Sequence, residues 1–561
     1  MRLRTFARKH ERCVVMHRLS IVLGVLVGVL EISALLSAAE AGGAGKAPFK
    51  LLYNNDATNV WSCESPFHKA NEPITDAAIA GSIDEVAGKG VDACLLSPGL
   101  GHFPWWRSKA VSEHFDWWMK KTGLKPDQYG EYLLNGGDWV KVLVERCRAL
   151  GMAPFVSFRM NDCHMMEYAG EPHVRSSWAD RFYTEHPEYW IDPDQKKKYP
   201  PGYSHYRGQN WAEPAVRQYK LGLLAELCEQ YDLDGLELDF LRDSRMFRDD
   251  CPLEERAKII TEFVGQVRAL LDRTAKPGRH PFDKAQGKRW LCVRVPVELK
   301  RWPETGLDAQ RLAAAGVDMF NCSCWYFTGM IHDIAKIREL VPDKAIYCEM
   351  THSAGSVWFL GEKSGYGTAG HPRTWDPQFY TAASLAYARG ADGISLFNFV
   401  YYRSGGKGLD WLKREPPFHV LPHLRDPQWL AEQPQYYWLA PWAYCNELAS
   451  AKLDPGRERV FRFDVALPKR KLAGDTRLRV HTQEPIEGEM RVSFNGVPLQ
   501  PTGDTGAFFE DPYDRMISDG PRRRAWTLPV RLVREGNNEA TITLDGAKTG
   551  GRATWIDFAI P

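Results

Sequence analysis

Short β-like segments alternate with amphipathic helical segments from about residue 50 to about residue 400, and this alternation restricts the fold more than any other feature of the chain. Strands that are each followed by a helix are typical of parallel βαβ units. Three of the helical segments end in Gly followed by Val-Asp or Ala-Asp, at Gly90, Gly316 and Gly390, because glycine adopts the left-handed conformation that ends a helix. The predicted strands span residues 50–54, 92–97, 153–159, 235–239, 291–296, 318–323, 345–350 and 393–398.

Eight βα units in a segment of about 350 residues predict a closed (β/α)8 TIM barrel rather than an open sheet. No G-x-G-x-x-G motif opens a helix after the first strand and no G-x-x-x-x-G-K-[ST] motif occurs, which disfavours nucleotide-binding doubly wound folds. Near residue 455 the pattern changes to strands separated by turns, among them the hairpin-type turn Asn495-Gly496. We therefore expect an α/β barrel over residues 42–450 and a small all-β sandwich over residues 451–561.

The N-terminal segment has the order of a secretory signal peptide. Basic residues precede an apolar run from Ile21 to Leu30, and Ala39-Glu40-Ala41 provides a cleavage pattern of small residues. The run is shorter than the roughly 20 residues that span a bilayer, although an uncleaved anchor is the alternative. We expect a signal peptide at residues 1–41 and a secreted or periplasmic protein without stable membrane insertion after cleavage. The formal net charge of +1 provides no field that would attract nucleic acid, so no nucleic-acid partner is expected.

The most informative motif is the run Asp-Gly-Leu-Glu-Leu-Asp-Phe-Leu-Arg at residues 234–242. Side chains alternate along a strand, so Leu236 and Leu238 are expected to face the helices, and Glu237 and Asp239 the barrel interior. Two inward carboxylates are costly to bury unless they are hydrogen-bonded or take part in function. Asp239 ends the predicted strand, at the barrel face where catalytic groups lie, whereas Glu237 lies one layer deeper.

Glu349 lies at the C-terminal end of the seventh predicted strand and supplies a second acid. A glycosidase needs two carboxyl groups that flank the scissile bond, one to protonate the leaving oxygen and one to attack or to activate water. We expect Asp239 and Glu349 to be this catalytic pair. Arg159 and Arg294 have the inward parity of their strands, and a guanidinium beside the acids would hold one of them ionised. A purely structural buried ion pair is the alternative.

Further polar and aromatic residues follow the predicted strands at the same face, and their shared location favours a carbohydrate-binding cleft. Asp162 and His164 lie close together in sequence, but two potential ligands without a third are a weak signal for a metal, so neither a metal nor another cofactor is expected. The predicted substrate-binding residues are Glu237, Arg159, Asn161, Asp162, Arg294, His102, Trp325, Tyr326, His352 and Asn398.

The motif at residues 234–242 resembles the D-G-[hydrophobic]-x-[hydrophobic]-D-[aromatic] strand of glycoside hydrolase-like barrels of the family 10-like type. Residues 210–217, Asn-Trp-Ala-Glu-Pro-Ala-Val-Arg, are similar to the approach of those proteins to the preceding helix, and the tail resembles their appended β-sandwich modules. The resemblance implies a glycosidase that acts on a polysaccharide or glycoside, with Asp239 as nucleophile or base and Glu349 as acid. The Asn-Glu pair that ends strand four in the well-known retaining clan is replaced by Asp239, which leaves the identity of the nucleophile open.

Two alternatives remain at this stage. The chain could be a non-catalytic carbohydrate-binding surface protein with a degenerate barrel, in which the acids are structural and Glu349 points away from Asp239. It could also be another barrel hydrolase that uses a metal, for which Asp162 and His164 are the only support.

Overall fold

Eight parallel strands close into a barrel in the computed structural model of this chain. The structure describes residues 46–56, 59–60, 63–69, 72–100, 103–164, 180–194, 208–276, 287–325, 327–330, 332–355, 372–403, 414–440, 451–510 and 522–561. The barrel strands are β1 (Leu51–Asp56), β2 (Ala93–Ser97), β3 (Ala153–Arg159), β4 (Gly235–Asp239), β5 (Trp290–Pro296), β6 (Met319–Ser323), β7 (Ala345–Thr351) and β8 (Gly393–Phe397). Each strand pairs with the next along the chain, and β8 pairs with β1, which confirms the predicted fold class.

Helices occupy the connections between these strands. Asp127, Asp138 and Asp308 cap three of them by accepting hydrogen bonds from backbone N–H groups of the first turn, which otherwise lack partners. Gly90, which precedes β2, has a φ of +85° and fulfils the predicted left-handed turn. The helices are α1 (Asp76–Asp84), α2 (Lys109–Thr122), α3 (Gln128–Leu134), α4 (Trp139–Leu150), α5 (Arg181–Glu185), α6 (Pro214–Gln230), α7 (Leu253–Arg273), α8 (Trp302–Thr305), α9 (Ala309–Ala314), α10 (Ile334–Leu340), α11 (Asp376–Ala388) and α12 (Pro427–Leu430).

An aspartate precedes each even-numbered barrel strand and ties together the N-terminal end of the barrel. Asp92 accepts a hydrogen bond from the backbone N–H of Leu51 on β1 at 3.0 Å. Asp318 accepts a hydrogen bond from the backbone N–H of Leu291 on β5, and Asp392 accepts one from the backbone N–H of Ile346 on β7, both at 3.0 Å. Asp234 instead binds a guanidinium of α4 at 2.6 Å. These four carboxylates therefore stabilise the N-terminal end of the barrel, which is opposite to the predicted site.

The barrel interior changes from apolar to polar along its axis. Large side chains such as Phe155 and Trp290 fill the N-terminal end. A Cβ atom at Gly235 would lie 2.3 Å from the ring of Phe155, so this packing requires the glycine of the Asp-Gly pair. Asn54 and Glu237 lie above this apolar layer and are fully buried. The polar side chains are thus concentrated toward the C-terminal end, where the site was predicted.

Two antiparallel sheets follow the barrel within the part of the chain that the structure describes. Their strands are β9 (Gln435–Leu439), β10 (Lys452–Leu453), β11 (Glu458–Val465), β12 (Asp475–Thr482), β13 (Glu489–Phe494), β14 (Val497–Pro498), β15 (Gln500–Thr502), β16 (Arg523–Pro529), β17 (Gly536–Asp545) and β18 (Gly551–Ile560). One sheet has the order β9-β18-β12-β16-β15, with β10 beside β18, and the other has the order β11-β17-β13-β14. Asn495 and Gly496 have φ values of +51° and +80°, so the predicted hairpin turn is confirmed.

The C-terminal sheets pack on the barrel within one unit, Ala47–Pro561. Strand β9 pairs with β18 although it lies inside the range 42–450 that the sequence predicts as barrel. Arg389, which follows α11, binds both carboxylate oxygens of Asp464 on β11 at 2.6 and 2.8 Å. The boundary between residues 450 and 451 stays a prediction.

The predicted signal peptide lies outside the described residues. Within the part of the chain that the structure describes, every helix is too short or too polar to cross a lipid bilayer.

Candidate active site

Asp239 of β4 and Glu349 of β7 bind the same guanidinium, that of Arg294 on β5. The Nε atom of Arg294 donates to both oxygens of Glu349 at 2.9 and 3.0 Å, and Nη2 donates to Oε1 of Glu349 at 2.6 Å. Nη1 donates to the two oxygens of Asp239 at 3.0 and 3.2 Å. Burial disfavours the charged guanidinium, but the two carboxylates outweigh this effect and raise the pKa of Arg294. The predicted acids and the predicted arginine therefore form one cluster.

Both acids are almost sealed from solvent. Asp239 is 1% exposed and Glu349 is 2% exposed. Oδ1 of Asp239 also accepts hydrogen bonds from the backbone N–H groups of Leu241 and Arg242, at 2.9 and 3.1 Å. Charged and backbone donors on several lone pairs stabilise the carboxylate anion and fix its orientation. Asp239 is thus held in one orientation at the C-terminal end of its strand.

Glu237 lies one layer deeper, as its position on β4 predicts. Its oxygens contact Asn54 Nδ2 and Ser157 Oγ at 2.7 Å and Asn321 Nδ2 at 2.9 Å. Burial, with smaller contributions from Asp239 and Glu349, raises the pKa of Glu237 to about 7. Near neutral pH this carboxyl therefore carries a proton for part of the time, unlike an ordinary glutamate.

Asn321 and Ser323 of β6 connect these acids, and the sequence did not single them out. Asn321 Nδ2 donates to Glu237 at 2.9 Å and to Glu349 at 3.0 Å, and so bridges the two carboxyl groups. The Oγ atom of Ser323 donates to Glu349 at 2.6 Å. Both residues have the inward parity of β6, which is the one sequence signal that could have identified them.

A second ionic cluster surrounds Arg159 of β3. The guanidinium of Arg159 donates to Asp162 at 2.7 Å and to Asp56 at 3.1 Å. Asn398 donates to Asp56 through Nδ2 at 2.9 Å and accepts from its backbone N–H at 3.0 Å. Asp56 lies two residues beyond the predicted end of the first strand and for this reason is not among the predicted site residues. Arg159, Asp162 and Asn398, three of the predicted substrate-binding residues, are thus joined through Asp56 and this guanidinium.

Asp162, His164 and Asp243 bring potential metal-ligand atoms within 4.8 Å of one another. Asp243 follows β4 and supplies the third potential ligand, which the sequence alone did not indicate. The lone pairs of the cluster already have partners, because Asp162 contacts Arg159 and Nδ1 of His164, while Nε2 of His164 contacts Arg242. Two guanidinium groups beside the ligand atoms oppose a cation electrostatically, so these residues fit a divalent metal poorly. The expectation that the protein uses no metal stays a prediction.

The remaining predicted residues have mixed surroundings. Asn161 binds backbone carbonyls of Gln209 and Arg245 at 3.0 and 2.8 Å and anchors the loop after β3. His352 is buried, and its ring lies edge-on to that of Tyr401 at 5.4 Å. Trp325 is partly buried beside Arg294, whose Nη2 lies 3.5 Å from the Trp325 carbonyl oxygen. Two more predicted residues, His102 and Tyr326, lie outside the described residues.

Backbone strain is concentrated at this end of the barrel. Among the described residues, the non-glycine residues with positive φ are Asp243, Trp325, Asn398 and Asn495. The first three follow β4, β6 and β8, with φ values of +60°, +66° and +49°. Left-handed backbone costs free energy in a non-glycine residue and occurs preferentially at functional sites. The strain therefore coincides with the face that carries Asp239 and Glu349.

The chain matches no known family model and no curated protein. Among solved structures it is similar to a cycloisomaltooligosaccharide glucanotransferase from a Paenibacillus species, with 11% identity over 91% of this chain and 57% of that chain and a TM-score of 0.31. It is also similar to an alpha-amylase from Malbranchea cinnamomea, with 11% identity over 88% of this chain and 96% of that chain and a TM-score of 0.36. A beta-hexosaminidase variant from Streptomyces plicatus has 11% identity over 69% of this chain and 64% of that chain, with a TM-score of 0.37. The family 10-like resemblance stays a prediction.

Proposed function

We propose that this protein is a glycoside hydrolase whose chemistry depends on Asp239 and Glu349. The observation that carries the proposal is the convergence of these two acids on Arg294 at the C-terminal end of the barrel. Glycosidic bonds are cleaved between two carboxyl groups, and strands β4 and β7 approach the same point from different sides of the barrel. A secreted location and a polysaccharide or glycoside substrate belong to the same proposal.

Asp239 suits the role of nucleophile or base. Its two backbone donors and Arg294 restrict the rotation of the carboxylate, which favours attack from a fixed position. Glu349 is assigned the role of acid, which requires a proton. The nearest carboxyl group that holds a proton near neutral pH is Glu237, which is linked to Glu349 through Asn321.

A non-catalytic carbohydrate-binding protein is the second candidate, and the burial of the acids favours it. Arg294, Ser323 and Asn321 already satisfy the oxygens of Glu349, as expected of a structural ion pair. One expectation of this alternative was that Glu349 points away from Asp239. Because both side chains contact one guanidinium, that expectation fails, and the glycosidase remains the better-supported candidate.

A substrate screen separates the two candidates. The purified chain is incubated with a panel of polysaccharides and aryl glycosides, and new reducing ends and released aglycone are measured; binding to the same panel is measured by calorimetry. Cleavage that is lost in Glu349→Gln supports the glycosidase. Binding without cleavage supports the second candidate, and the absence of both overturns both.

A further inference from the structure

A cavity of about 30 Å³ lies between the C-terminal ends of β2 and β3 and helix α6. Ser97 of β2, Ser157 and Arg159 of β3, Lys220 of α6 and Trp106 supply its polar lining. A water molecule needs roughly 10–15 Å³ on this measure, so the cavity accommodates about two water-sized groups. All of its lining residues belong to the described part of the chain, and none of them is acidic. The lining of the cavity therefore carries two cationic side chains and several hydrogen-bond donors but no carboxylate.

Two of these donors are buried without a partner. The Nε–H group of Arg159 and the Nε1–H group of Trp106 have no hydrogen-bond acceptor among the described residues. Arg159 is 6% exposed and Trp106 is 2% exposed. An unsatisfied buried donor costs about 1–3 kcal/mol, so native structures rarely leave two beside one cavity unless a ligand or water accepts from them.

Lys220 adds a positive charge to the same wall. Its side chain is 1% exposed, and its ammonium lies 5.5 Å from the centre of the Phe158 ring. Burial lowers the pKa of Lys220 to about 8, although Asp180 and Asp162 partly offset this effect. Neither of these carboxylates lines the cavity, and neither does Asp56, the other partner of Arg159. An anion in the cavity would stabilise the buried ammonium directly.

We propose that this cavity binds a small anion, and that its occupant during turnover is the carboxylate of an acidic sugar. A carboxylate has two oxygens that accept several hydrogen bonds at once, and bonds to charged donors are about twice as strong as neutral ones. Arg159 belongs both to the cavity and to the cluster beside β4, and its register partner on that strand is Asp239. A sugar held by its carboxylate here would lie next to the proposed catalytic acids. The anion site stands independently, whereas the sugar assignment rests on the proposed glycosidase function.

Anion binding is tested on the full chain without any substrate. Sodium acetate and sodium chloride are titrated at constant ionic strength, and the midpoint of thermal unfolding and the heat of binding are recorded. Lys220→Met removes the ammonium, and Trp106→Phe removes the indole donor while it keeps an aromatic ring. Lys288→Met is the matched control, because Lys288 also lies over an aromatic ring, Trp290 at 4.4 Å, but does not line the cavity.

We expect acetate or chloride to raise the unfolding midpoint of the wild type. Lys220→Met should weaken binding about tenfold or more, and Trp106→Phe about threefold to tenfold, whereas Lys288→Met should bind as the wild type does. The proposal is overturned if neither anion stabilises the wild type, or if Lys220→Met and Lys288→Met respond alike.

A second arm identifies the source of the anion. Hydrolysis of a uronic acid glycoside is compared with that of the neutral glycoside that differs only at the carboxylate. If the sugar carboxylate is the occupant, the ratio of the two kcat/KM values falls about tenfold in Lys220→Met and stays constant in Lys288→Met. An unchanged ratio overturns the sugar assignment and leaves a free inorganic anion as the occupant. If neither glycoside is cleaved, the proposed function fails while the titration still decides the anion site.

Discussion

Arg294 donates three hydrogen bonds to Glu349, at 2.6, 2.9 and 3.0 Å, in a part of the barrel interior that is closed to solvent. A buried guanidinium of this kind is stable only with its anionic partners, because the desolvation of each charge is offset by the other. The ion pair thus links the stability of the barrel to the geometry of the proposed catalytic acids.

Removal of this guanidinium should destabilise the fold strongly. Arg294→Met leaves Asp239 and Glu349 buried beside each other without a cation, and we expect it to lower the free energy of unfolding by roughly 3–5 kcal/mol. Arg273→Met is the control, since Arg273 forms an exposed pair with Glu229 at 3.4 Å and should cost less than about 1 kcal/mol. Urea unfolding followed by circular dichroism measures both. Equal losses of unfolding free energy in Arg294→Met and Arg273→Met would mean that the buried ion pair stabilises the fold no more than a surface ion pair does.

The proton on Glu237 should make stability depend on pH. The pKa of Glu237 is about 7 in the folded chain against an ordinary value of 4.5, so between these values the folded state holds a proton that the unfolded state has lost. The stability from the neutral carboxyl is fully present below pH 4.5 and is lost as the pH rises through about 7. The side chain of Glu237→Gln is neutral at every pH. Between pH 4.5 and pH 8, the free energy of unfolding of this variant should therefore fall by about 3 kcal/mol less than that of the wild type.

Unfolding curves at several pH values test this difference. Asp180, whose pKa is raised to about 6 by burial, titrates in both proteins, so its contribution cancels in the comparison. Parallel stability profiles for the wild type and Glu237→Gln would contradict a protonated Glu237.

Trp325 should contribute to substrate binding rather than to the chemical step. Its ring is partly buried at the face that carries the acids, and aromatic rings contribute about 0.5–1.5 kcal/mol when they stack on another flat surface. Trp325→Ala is expected to raise KM about threefold to tenfold with little change in kcat, whereas Trp325→Phe should recover most of the loss. A fall in kcat without a change in KM would assign Trp325 to positioning of Glu349 instead.

Arg389 should couple the barrel to the C-terminal sheets. It binds Asp464 through two hydrogen bonds and Glu535 at 2.7 Å across the contact between them. Arg389→Ala is expected to lower the free energy of unfolding by about 1–3 kcal/mol. Arg462→Ala, which breaks an exposed pair with Glu539 inside one sheet, should cost less than about 1 kcal/mol. Thermal unfolding experiments measure both variants. If Arg389→Ala and Arg462→Ala lose similar amounts of stability, the contact between the barrel and the C-terminal sheets is not stabilised by Arg389.

The sequence predicts the barrel and the inward acids well because both depend on local periodicity. Side chains alternate with a period of two along a strand, so the inward positions of Glu237 and Asp239 follow from the strand assignment alone. Arg294 is identified by the same parity on its strand, and Glu349 by its position at the end of the seventh predicted strand. The eight predicted barrel strands and the eight observed barrel strands differ only at their ends, where hydrogen bonds between neighbouring strands decide the last residue.

The partners of these residues could not be predicted, because they depend on the register between strands. Asn321 and Ser323 become relevant only when β6 is aligned with β5 and β7. Asp243 becomes a neighbour of Asp162 only when the loops after β3 and β4 meet. Strand β9 was missed because its sequence, Gln-Tyr-Tyr-Trp-Leu, has no alternation of polar and apolar residues and its partner is the last strand of the chain.

The comparison of Asp239→Asn with Asp234→Asn tests the proposed chemistry most directly. Both substitutions neutralise a buried aspartate of the same motif, but Asp234 binds Arg148 at the opposite end of the barrel. With a substrate from the panel, we expect Asp239→Asn to lose at least about a thousandfold in kcat, because a nucleophile or base of this kind has no substitute, while Asp234→Asn retains activity within about tenfold. Full activity in Asp239→Asn would contradict the account, as would equal losses in the two variants.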